Sequence, residues 1–245
     1  MENIGCFIIH LQRAEERQLN VARLSASLPI KPSIINAVDG RQLTDQQRLA
    51  YRPRLFKPFY PFVLLPGEIA TFHSYRRCWQ TIVDQGLSAA LVIEDDTILE
   101  PDLFSEAFQV ATETLRPGDY VRFPVKLRER SQKVSIQNDR PNLIDSWSIG
   151  LETNAQIITH AAAETLLIKT IQFDRPIDTY LQMRWHHGLS VRTVWPSGVT
   201  EISADLGGSL IGKRRGFWDR LSRETLRPIY KLQLHLMLLL TRMSR

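Results

Sequence analysis

The sequence has few cysteines and no segment long and apolar enough for a membrane span. Its two cysteines, Cys6 and Cys78, lie in separate apolar segments without a Cys-x-x-Cys spacing, which excludes a disulfide framework and a cysteine zinc site. No run approaches the roughly 20 continuous apolar residues that a transmembrane helix needs. The N-terminus lacks the basic start and the small-residue cleavage site of a signal peptide, so we expect a cytoplasmic protein.

Two other patterns are missing from the sequence. There is no P-loop pattern (Gly-x4-Gly-Lys-Ser/Thr), which argues against the common nucleoside triphosphatases, and there is no internal repeat. The apolar fraction of 43% and the charged fraction of 23% are those of an ordinary globular protein. With 245 residues, the chain is long enough for one large α/β domain with small appendages.

Positive charge is concentrated at the C-terminal end. Residues 213–245 hold nine basic and two acidic side chains, a net charge of +7, whereas the whole chain has +5. Residues 1–212 are therefore mildly acidic, at −2. We predict a catalytic domain over residues 1–212 and a basic, amphipathic tail over residues 213–245. An acidic main domain argues against nucleic acid as its substrate, because binding a phosphate backbone needs a basic face.

Strand-like and helix-like segments alternate along the chain. The apolar patterns predict strands over 6–11, 33–38, 89–93, 119–125, 155–159 and 190–195, and helices over 14–28, 66–85, from Pro101 onward, 161–170 and 178–184. Four prolines indicate a loop over 51–66. This alternation predicts an α/β fold with a parallel or mixed central sheet.

Three consecutive acidic residues, Glu94, Asp95 and Asp96, follow the apolar run 89–93. Ligands of open α/β sheets bind at the carboxyl ends of strands, and adjacent carboxylates resist joint ionisation unless a cation is near. A divalent ion such as Mn²⁺ or Mg²⁺ would accept these oxygens and leave positions for diphosphate oxygens. The alternative interpretations are a solvated acidic turn, or caps of the following segment.

Several segments in order resemble glycosyltransferase family 25, which includes bacterial lipooligosaccharide galactosyltransferases and collagen galactosyltransferases. The similar segments are Phe7-Ile8-Ile9-His10-Leu11 with Arg13 and Arg17, Ala37-Val38-Asp39-Gly40, Gly67-Glu68-Ile69, Trp79 and Leu91-Val92-Ile93-Glu94-Asp95-Asp96, with weaker similarity at Pro176-Ile177-Asp178 and Gly208-Ser209-Leu210-Ile211. The chain departs from the family at His10, where the family has Asn, and at Tyr75, where it has His.

The resemblance implies a GT-A (Rossmann-like) nucleotide-sugar-binding fold with a mixed central sheet. It also implies a nucleotide-sugar donor, typically UDP-galactose, and inversion at the anomeric carbon. Glu94-Asp95-Asp96 would correspond to the Asp-x-Asp metal motif of such enzymes. On this basis we predict Glu94 and Asp96 as ligands of Mn²⁺ or Mg²⁺, and Asp95 as a residue of the donor site.

Three more residues are candidates for donor binding. Arg13 and Arg17 follow the first predicted strand, where basic side chains could contact the diphosphate or the base. The alternative is a solvated helix start, since most charged residues lie on the surface. Asp39 precedes Gly40 and could contact the uridine or the ribose, although Asp-Gly is also a common turn pair.

An inverting transferase needs a base that deprotonates the acceptor hydroxyl. Asp178 is our candidate because it matches a family position and lies at the start of a predicted helix, where its alternative role is the N-cap. Asp174 and Glu152 are the alternative candidates for the base. We expect the adjacent pair His186-His187 to lie in a loop, because adjacent side chains diverge and seldom chelate one metal.

The basic tail alternates cations with apolar and aromatic side chains, as in a helix on an anionic membrane surface. The alternative is a helix packed on the domain or in a dimer contact. We therefore expect a peripheral protein on the cytoplasmic face of the inner membrane.

The sequence as a whole favours an inverting glycosyltransferase that moves a hexose, with galactose expected, from a UDP-sugar to a lipooligosaccharide or lipopolysaccharide core or related surface glycan. Two alternatives stay open. One is a metal-dependent nucleotidyl- or phosphoryltransferase, which also uses acidic strand ends. The other is a catalytically inactive relative that acts as a membrane-associated scaffold, with Tyr75 and His10 as signs of drift.

Overall fold

The structure is a computed structural model that describes residues 3–128, 140–145, 148–204, 206 and 217–243. The strands within these ranges are β1 (Ile4–His10), β2 (Ser33–Asn36), β3 (Ala89–Glu94), β4 (Thr97–Leu99), β5 (Asp119–Arg122), β6 (Asn142–Ile144), β7 (Ala155–Thr159), β8 (Ser190–Trp195) and β9 (Val199–Glu201). The helices are α1 (Gln18–Ser27), α2 (Asp45–Ala50), α3 (Pro66–Asp84), α4 (Pro101–Glu113), α5 (His160–Lys169), α6 (Ile177–Leu181), α7 (Arg184–His187) and α8 (Phe217–Met243).

Seven strands form one mixed sheet in the order β2-β1-β3-β7-β5-β8-β6, and β4 pairs with β9 in a second, small sheet. The strand β1 lies parallel to both β2 and β3, whereas β7 runs antiparallel to β3 and β5. The carboxyl ends of β1, β2 and β3 therefore meet at one edge of the sheet. This arrangement confirms the predicted α/β fold with a mixed central sheet and agrees with a Rossmann-like glycosyltransferase fold.

The central strand β3 is buried on both faces, as its continuous apolar run predicts. Every residue of 89–93 is 0% exposed. On one face of the sheet the core is formed by α3 and α5, where Phe72 stacks on Phe173 with ring centroids 3.9 Å apart. On the other face Leu24 of α1 and Phe104 of α4 join the second cluster. This sandwich holds the end of β3 in a fixed position.

The predicted helix over 66–85 is confirmed as α3, and its ends follow from local chemistry. Pro66 occupies the first turn, and Glu68 Oε2 accepts a hydrogen bond from the backbone N–H of Leu65 at 2.7 Å. Gly86, at the other end, has a φ of 59°, a left-handed conformation that glycine adopts without strain. Thus α3 presents a fixed face to the carboxyl end of β3.

Two predicted elements differ from the structure, and some elements were not predicted. The strand predicted over 119–125 ends at Arg122, and the helix predicted over 178–184 is instead two short helices, α6 and α7. The short helix α2 was not predicted. It has a capping box between Thr44 and Gln47 but no buried residue, so it lacks the apolar stripe on which the prediction depended.

The long helix α8 packs on the body of the protein through part of its surface. Tyr230 and Leu234 are 6% and 5% exposed and belong to the same core cluster as α3. Apolar side chains on the outer surface of α8, among them Leu232 and Leu240, are more than half exposed. Within the described ranges, no helix combines the length and the apolar composition needed to cross a membrane.

Candidate active site

A cavity of about 1050 Å³ lies at the carboxyl ends of β1, β2 and β3. Loops that follow these strands form part of its lining, and α3, α6 and α8 contribute the rest. All seven residues that the sequence analysis selected for the site line this cavity: Arg13, Arg17, Asp39, Glu94, Asp95, Asp96 and Asp178. Their side chains are therefore brought together in one place, although they come from distant parts of the chain.

Asp95 is held by two basic side chains. Its Oδ2 lies 2.7 Å from His10 Nδ1, and its Oδ1 accepts a hydrogen bond from Arg17 Nη1 at 2.5 Å. Asn20 also donates to the backbone oxygen of Asp95, at 2.8 Å. Both carboxylate oxygens of Asp95 are thus occupied by protein groups. Asp95 therefore fixes the turn after β3 and orients Arg17. It would influence a bound ligand through Arg17 rather than by direct contact.

Asp96 differs from its neighbour because one of its oxygens is open. Its Oδ2 lies 3.1 Å from Arg17 Nη1, whereas the buried Oδ1 has no hydrogen-bond partner among the residues that the structure describes. Burial raises the pKa of Asp96, and the nearby charge of Arg17 opposes that rise. A buried carboxylate oxygen without a partner is costly, so a ligand in the cavity is expected to complete its contacts.

Glu94 faces Tyr75 and Thr153. The hydroxyl oxygen of Tyr75 lies 2.5 Å from Glu94 Oε1 and 2.6 Å from the carbonyl oxygen of Thr153. The hydroxyl of Thr153 also donates to Glu94 Oε1, at 2.9 Å. Burial, together with the charge of Asp96, raises the pKa of Glu94 to about 7. The hydrogen bonds that Tyr75 and Thr153 donate to this carboxylate oppose the rise but do not cancel it.

The side chains in the cavity permit a divalent metal at one position. Among the described residues, no group of three or more His, Cys, Asp and Glu side chains is arranged to hold a metal ion. An ion there would depend on Asp96 Oδ1, on Glu94 once deprotonated, and on oxygens from a bound ligand such as a diphosphate. The open oxygen of Asp96 fits this role, and the occupied oxygens of Asp95 do not.

Arg13 and Asp39 form an ion pair at the end of β2. Arg13 Nε donates to Asp39 Oδ2 at 2.6 Å, and the backbone N–H of Arg41 donates to Asp39 Oδ1 at 2.9 Å. The hydrogen bond from Arg13 lowers the pKa of Asp39, which is therefore ionised at neutral pH. Gly40 follows, and a Cβ there would lie 2.8 Å from the backbone nitrogen of Gly67, so only glycine fits this close approach.

Asp178 lies in α6 and lines the same cavity. Its Oδ1 accepts hydrogen bonds from the backbone N–H and the hydroxyl of Thr179, at 2.6 and 3.2 Å. Burial raises the pKa of Asp178, and the hydrogen bonds from Thr179 oppose that rise. Pro176, not Asp178, is the N-cap residue of α6, so a capping role does not account for this carboxylate.

The other residues considered for the base lie outside the cavity lining. Asp174 is fully buried, pairs with Arg175 and accepts from the backbone N–H of Phe56. Glu152 accepts from the backbone N–H of Val125 at 2.9 Å. Both carboxylates therefore stabilise neighbouring backbone segments and do not line the cavity.

The pair His186-His187 lies in α7, not in the loop that we expected. His187 is buried, its Nε2 lies 3.0 Å from the Leu181 oxygen, and burial lowers its pKa to about 4. His186 packs against the ring of Phe56 with centroids 4.2 Å apart. His187 is therefore a buried structural residue, and His186 is partly buried against Phe56.

Sequence reasoning did not place the C-terminal helix at the site. The side chains of α8 that line the cavity recur at positions i, i+3, i+4 and i+7: Arg227, Tyr230, Lys231 and Leu234. This spacing is one face of a helix and was visible in the sequence. The same stretch also carries a second apolar stripe, and the spacing alone does not say which stripe packs inward.

Comparison with known proteins decides the family. The profile described as Glycosyltransferase family 25 (LPS biosynthesis protein) matches residues 3–181. The chain belongs to glycosyltransferase family 25. All seven predicted site residues lie inside the matched range, whereas α8 lies beyond it.

Individual relatives agree with this assignment. The chain is 25% identical over 187 residues to a Drosophila melanogaster protein named "Glycosyltransferase 25 family member", which covers 72% of this chain and 30% of the relative. It is 36% identical over 98 residues to "Procollagen galactosyltransferase 1" of Danio rerio, a match that covers 38% of this chain and 16% of the relative. It is 29% identical over 94 residues to a mouse protein named "Inactive glycosyltransferase 25 family member 3", a match that covers 37% of this chain and 16% of the relative. The matches thus span about a third or less of the length of these relatives.

Proposed function

We propose that the chain transfers a hexose, with galactose expected, from a UDP-sugar to a lipooligosaccharide or lipopolysaccharide core acceptor, with inversion. One observation carries the proposal. A single cavity at the carboxyl ends of three parallel strands is lined both by Asp96, whose buried Oδ1 has no partner among the described residues, and by a second carboxylate, Asp178. An inverting transfer needs one group for the leaving diphosphate and another for the acceptor proton.

The donor would occupy the edge formed by β1, β2 and β3. Asp39, ionised and held by Arg13, has the chemistry to accept hydrogen bonds from ribose hydroxyls or the base. Arg17, buried and oriented by Asp95 and Asp96, would add positive charge beside the diphosphate. The close contact of Gly40 with the start of α3 keeps this part of the cavity lined by backbone.

A Mn²⁺ or Mg²⁺ ion would be held by Asp96, with Glu94 as a second ligand once it loses its proton. Such an ion, when bound, neutralises negative charge that develops on the leaving diphosphate. Asp178 would accept the proton of the acceptor hydroxyl as that oxygen bonds to the anomeric carbon and the bond to the diphosphate breaks. The raised pKa of Asp178 makes it a stronger base than an ordinary exposed aspartate.

The test is donor binding and turnover by the purified chain. We expect UDP to raise the melting temperature more with Mn²⁺ than with EDTA, because a ligand that binds the native state stabilises it. UDP-galactose should then be hydrolysed slowly without an acceptor, and Asp96→Ala should remove this activity. Binding without turnover would favour the inactive scaffold. If the wild type neither binds nor hydrolyses any UDP-sugar in a panel, the proposal fails.

We propose further that the protein lies on the cytoplasmic surface of the inner membrane through α8. The outer surface of this helix exposes Ile229, Leu232, Leu236 and Leu240, each at least half exposed. Beside it, a groove of about 540 Å³ is lined by α8 and by Lys57, Pro58 and Phe59. Apolar surface next to basic side chains is typical of segments that bind anionic lipid surfaces.

A further inference from the structure

Two cations of α8, Arg227 and Lys231, line the cavity without a carboxylate partner. Both side chains are exposed, and neither forms an ion pair with the side chains that the structure describes. Two basic residues at the strand edge behave differently, since Arg13 pairs with Asp39 and Arg17 pairs with Asp95. The cavity therefore has positive charge on the α8 side that no described protein group neutralises.

The spacing of the two cations suits one shared anion. Residues four apart on a helix have Cβ atoms about 5–6 Å from each other, so Arg227 and Lys231 are neighbours on one face. Like charges at this spacing repel each other, and an anion between them removes the repulsion. A guanidinium and an ammonium together donate several charge-assisted hydrogen bonds, which phosphate and carboxylate oxygens accept well.

The position of this pair is fixed by the core. Tyr230, between the two cations in sequence, is buried, and its hydroxyl accepts a hydrogen bond from Arg175 Nη1 at 2.6 Å. Arg175 lies three residues before Asp178, so one short segment holds both α8 and the proposed base. Tyr230 and Asp178 both line the cavity, which places the face of α8 that carries the two cations on the same cavity as the proposed base.

We propose that Arg227 and Lys231 bind an anionic group, a phosphate or a carboxylate, on the acceptor saccharide. The inference rests on the proposed function, because it requires the donor at the strand edge and the acceptor beside Asp178. The donor diphosphate would already meet Arg17 at the ends of β1 and β3, so it does not account for the cations of α8. The acceptor class is therefore an acidic or phosphorylated sugar rather than a neutral one.

The test compares glucose, glucose 6-phosphate and glucuronate as probes, each titrated by NMR into the full chain with saturating UDP and Mn²⁺. We expect the wild type to bind at least one anionic probe about tenfold more tightly than glucose, a difference of about 1.4 kcal/mol. The double variant Arg227→Gln/Lys231→Gln should reduce this preference to less than about twofold. Which anionic probe is preferred tells phosphate from carboxylate. The preference should also weaken as salt rises, because exposed charges are screened.

A matched control removes two exposed cations from helices α1 and α5, in Arg23→Gln/Lys169→Gln, and should keep both the preference and the UDP affinity. The proposal is overturned if the wild type shows no anionic preference, or if the cavity double variant retains it. It is also overturned if that variant loses UDP affinity, since the cations would then hold the donor. A wild type that does not bind UDP refutes the proposed function, and the acceptor assignment with it.

Discussion

Arg175 Nη1 donates a hydrogen bond to the hydroxyl of Tyr230 at 2.6 Å, and this contact joins α8 to the segment that carries Asp178. The guanidinium is fully buried, and it also pairs with Asp174 and donates to the backbone oxygens of Phe56 and Pro58. Its ring contact with Tyr230, 5.7 Å from the centroid, adds a cation–π attraction. One buried cation thus connects three parts of the chain that lie far apart in sequence.

Tyr230→Phe should lower the free energy of unfolding by about 1–3 kcal/mol, because it leaves a buried guanidinium N–H without its acceptor. Urea denaturation measures the effect. Tyr120→Phe is the matched control, since the buried Tyr120 hydroxyl has no hydrogen-bond partner among the described residues and its removal should cost little. Equal effects in the two variants would contradict the importance of the Arg175 contact.

Asp95→Asn should lose folding stability, whereas Asp96→Asn should lose metal-dependent UDP binding. Asp95→Asn weakens the hold on His10 and Arg17, and breaking a buried charge pair costs about 3 kcal/mol of folding stability. Asp96→Asn should keep most of the stability and lose the Mn²⁺-dependent part of UDP binding. Urea denaturation and UDP titrations with Mn²⁺ or EDTA separate the two effects. If Asp96→Asn binds UDP with Mn²⁺ as well as the wild type, the metal position is wrong.

Because the pKa of Glu94 is raised in the folded protein, the free energy of unfolding should fall as pH rises. Its pKa is raised to about 7 in the folded state, so the native protein binds more protons than the unfolded chain between about pH 4.5 and 7. By linkage, the free energy of unfolding falls across this window, by up to about 3 kcal/mol. Urea denaturation in EDTA at pH 5 and pH 8 should show this fall in the wild type and a smaller one in Glu94→Gln. Parallel losses in both proteins would contradict the shifted pKa.

Asp178→Asn should reduce kcat for sugar transfer by about 100-fold or more while UDP affinity stays unchanged, because the loss of a general base affects the proton transfer and not the donor. Steady-state kinetics and UDP titrations measure both. Glu152→Gln is the comparison variant, since that carboxylate lies outside the cavity lining. In the wild type, kcat should fall as pH drops below the raised pKa of Asp178. A fully active Asp178→Asn would show that another group takes the proton.

Exposed leucines of α8 should govern binding to anionic liposomes. The triple variant Leu232→Gln/Leu236→Gln/Leu240→Gln should sediment with such liposomes much less than the wild type, because it removes apolar area from the proposed membrane contact. Leu19→Gln/Ile168→Gln/Ile171→Gln changes three equally exposed apolar residues elsewhere and should leave sedimentation unchanged. The membrane proposal does not survive if the two triple variants behave alike.

The acidic strand end and α3 could be predicted because their signals are local. The continuous apolar run before Glu94 indicates a strand buried on both faces, and the helical spacing after Pro66 extends over more than four turns. Because the carboxyl ends of parallel strands share an edge, the same pattern brought Arg13, Arg17 and Asp39 near Glu94. These residues all line one cavity, and their roles stay predictions.

The parts that could not be predicted depend on contacts between distant residues. Asp95 is occupied by His10 and Arg17, which lie 85 and 78 residues away, so nothing near Asp95 in the sequence distinguishes it from Asp96. The packing of α8 depends on the contact between Arg175 and Tyr230, 55 residues apart. No periodic pattern encodes such a pair. For these two contacts, distance in sequence limited the prediction.

The cavity is built from two portions of the chain, the strand edge and α8. The strand edge lies within the range that matches the family, and α8 lies outside it. A graft that replaces 217–243 but keeps Tyr230 and Leu234 would therefore present new side chains to the cavity while the strand edge stays intact. Under the proposed function, such a graft would alter the choice of acceptor and leave the donor site unchanged.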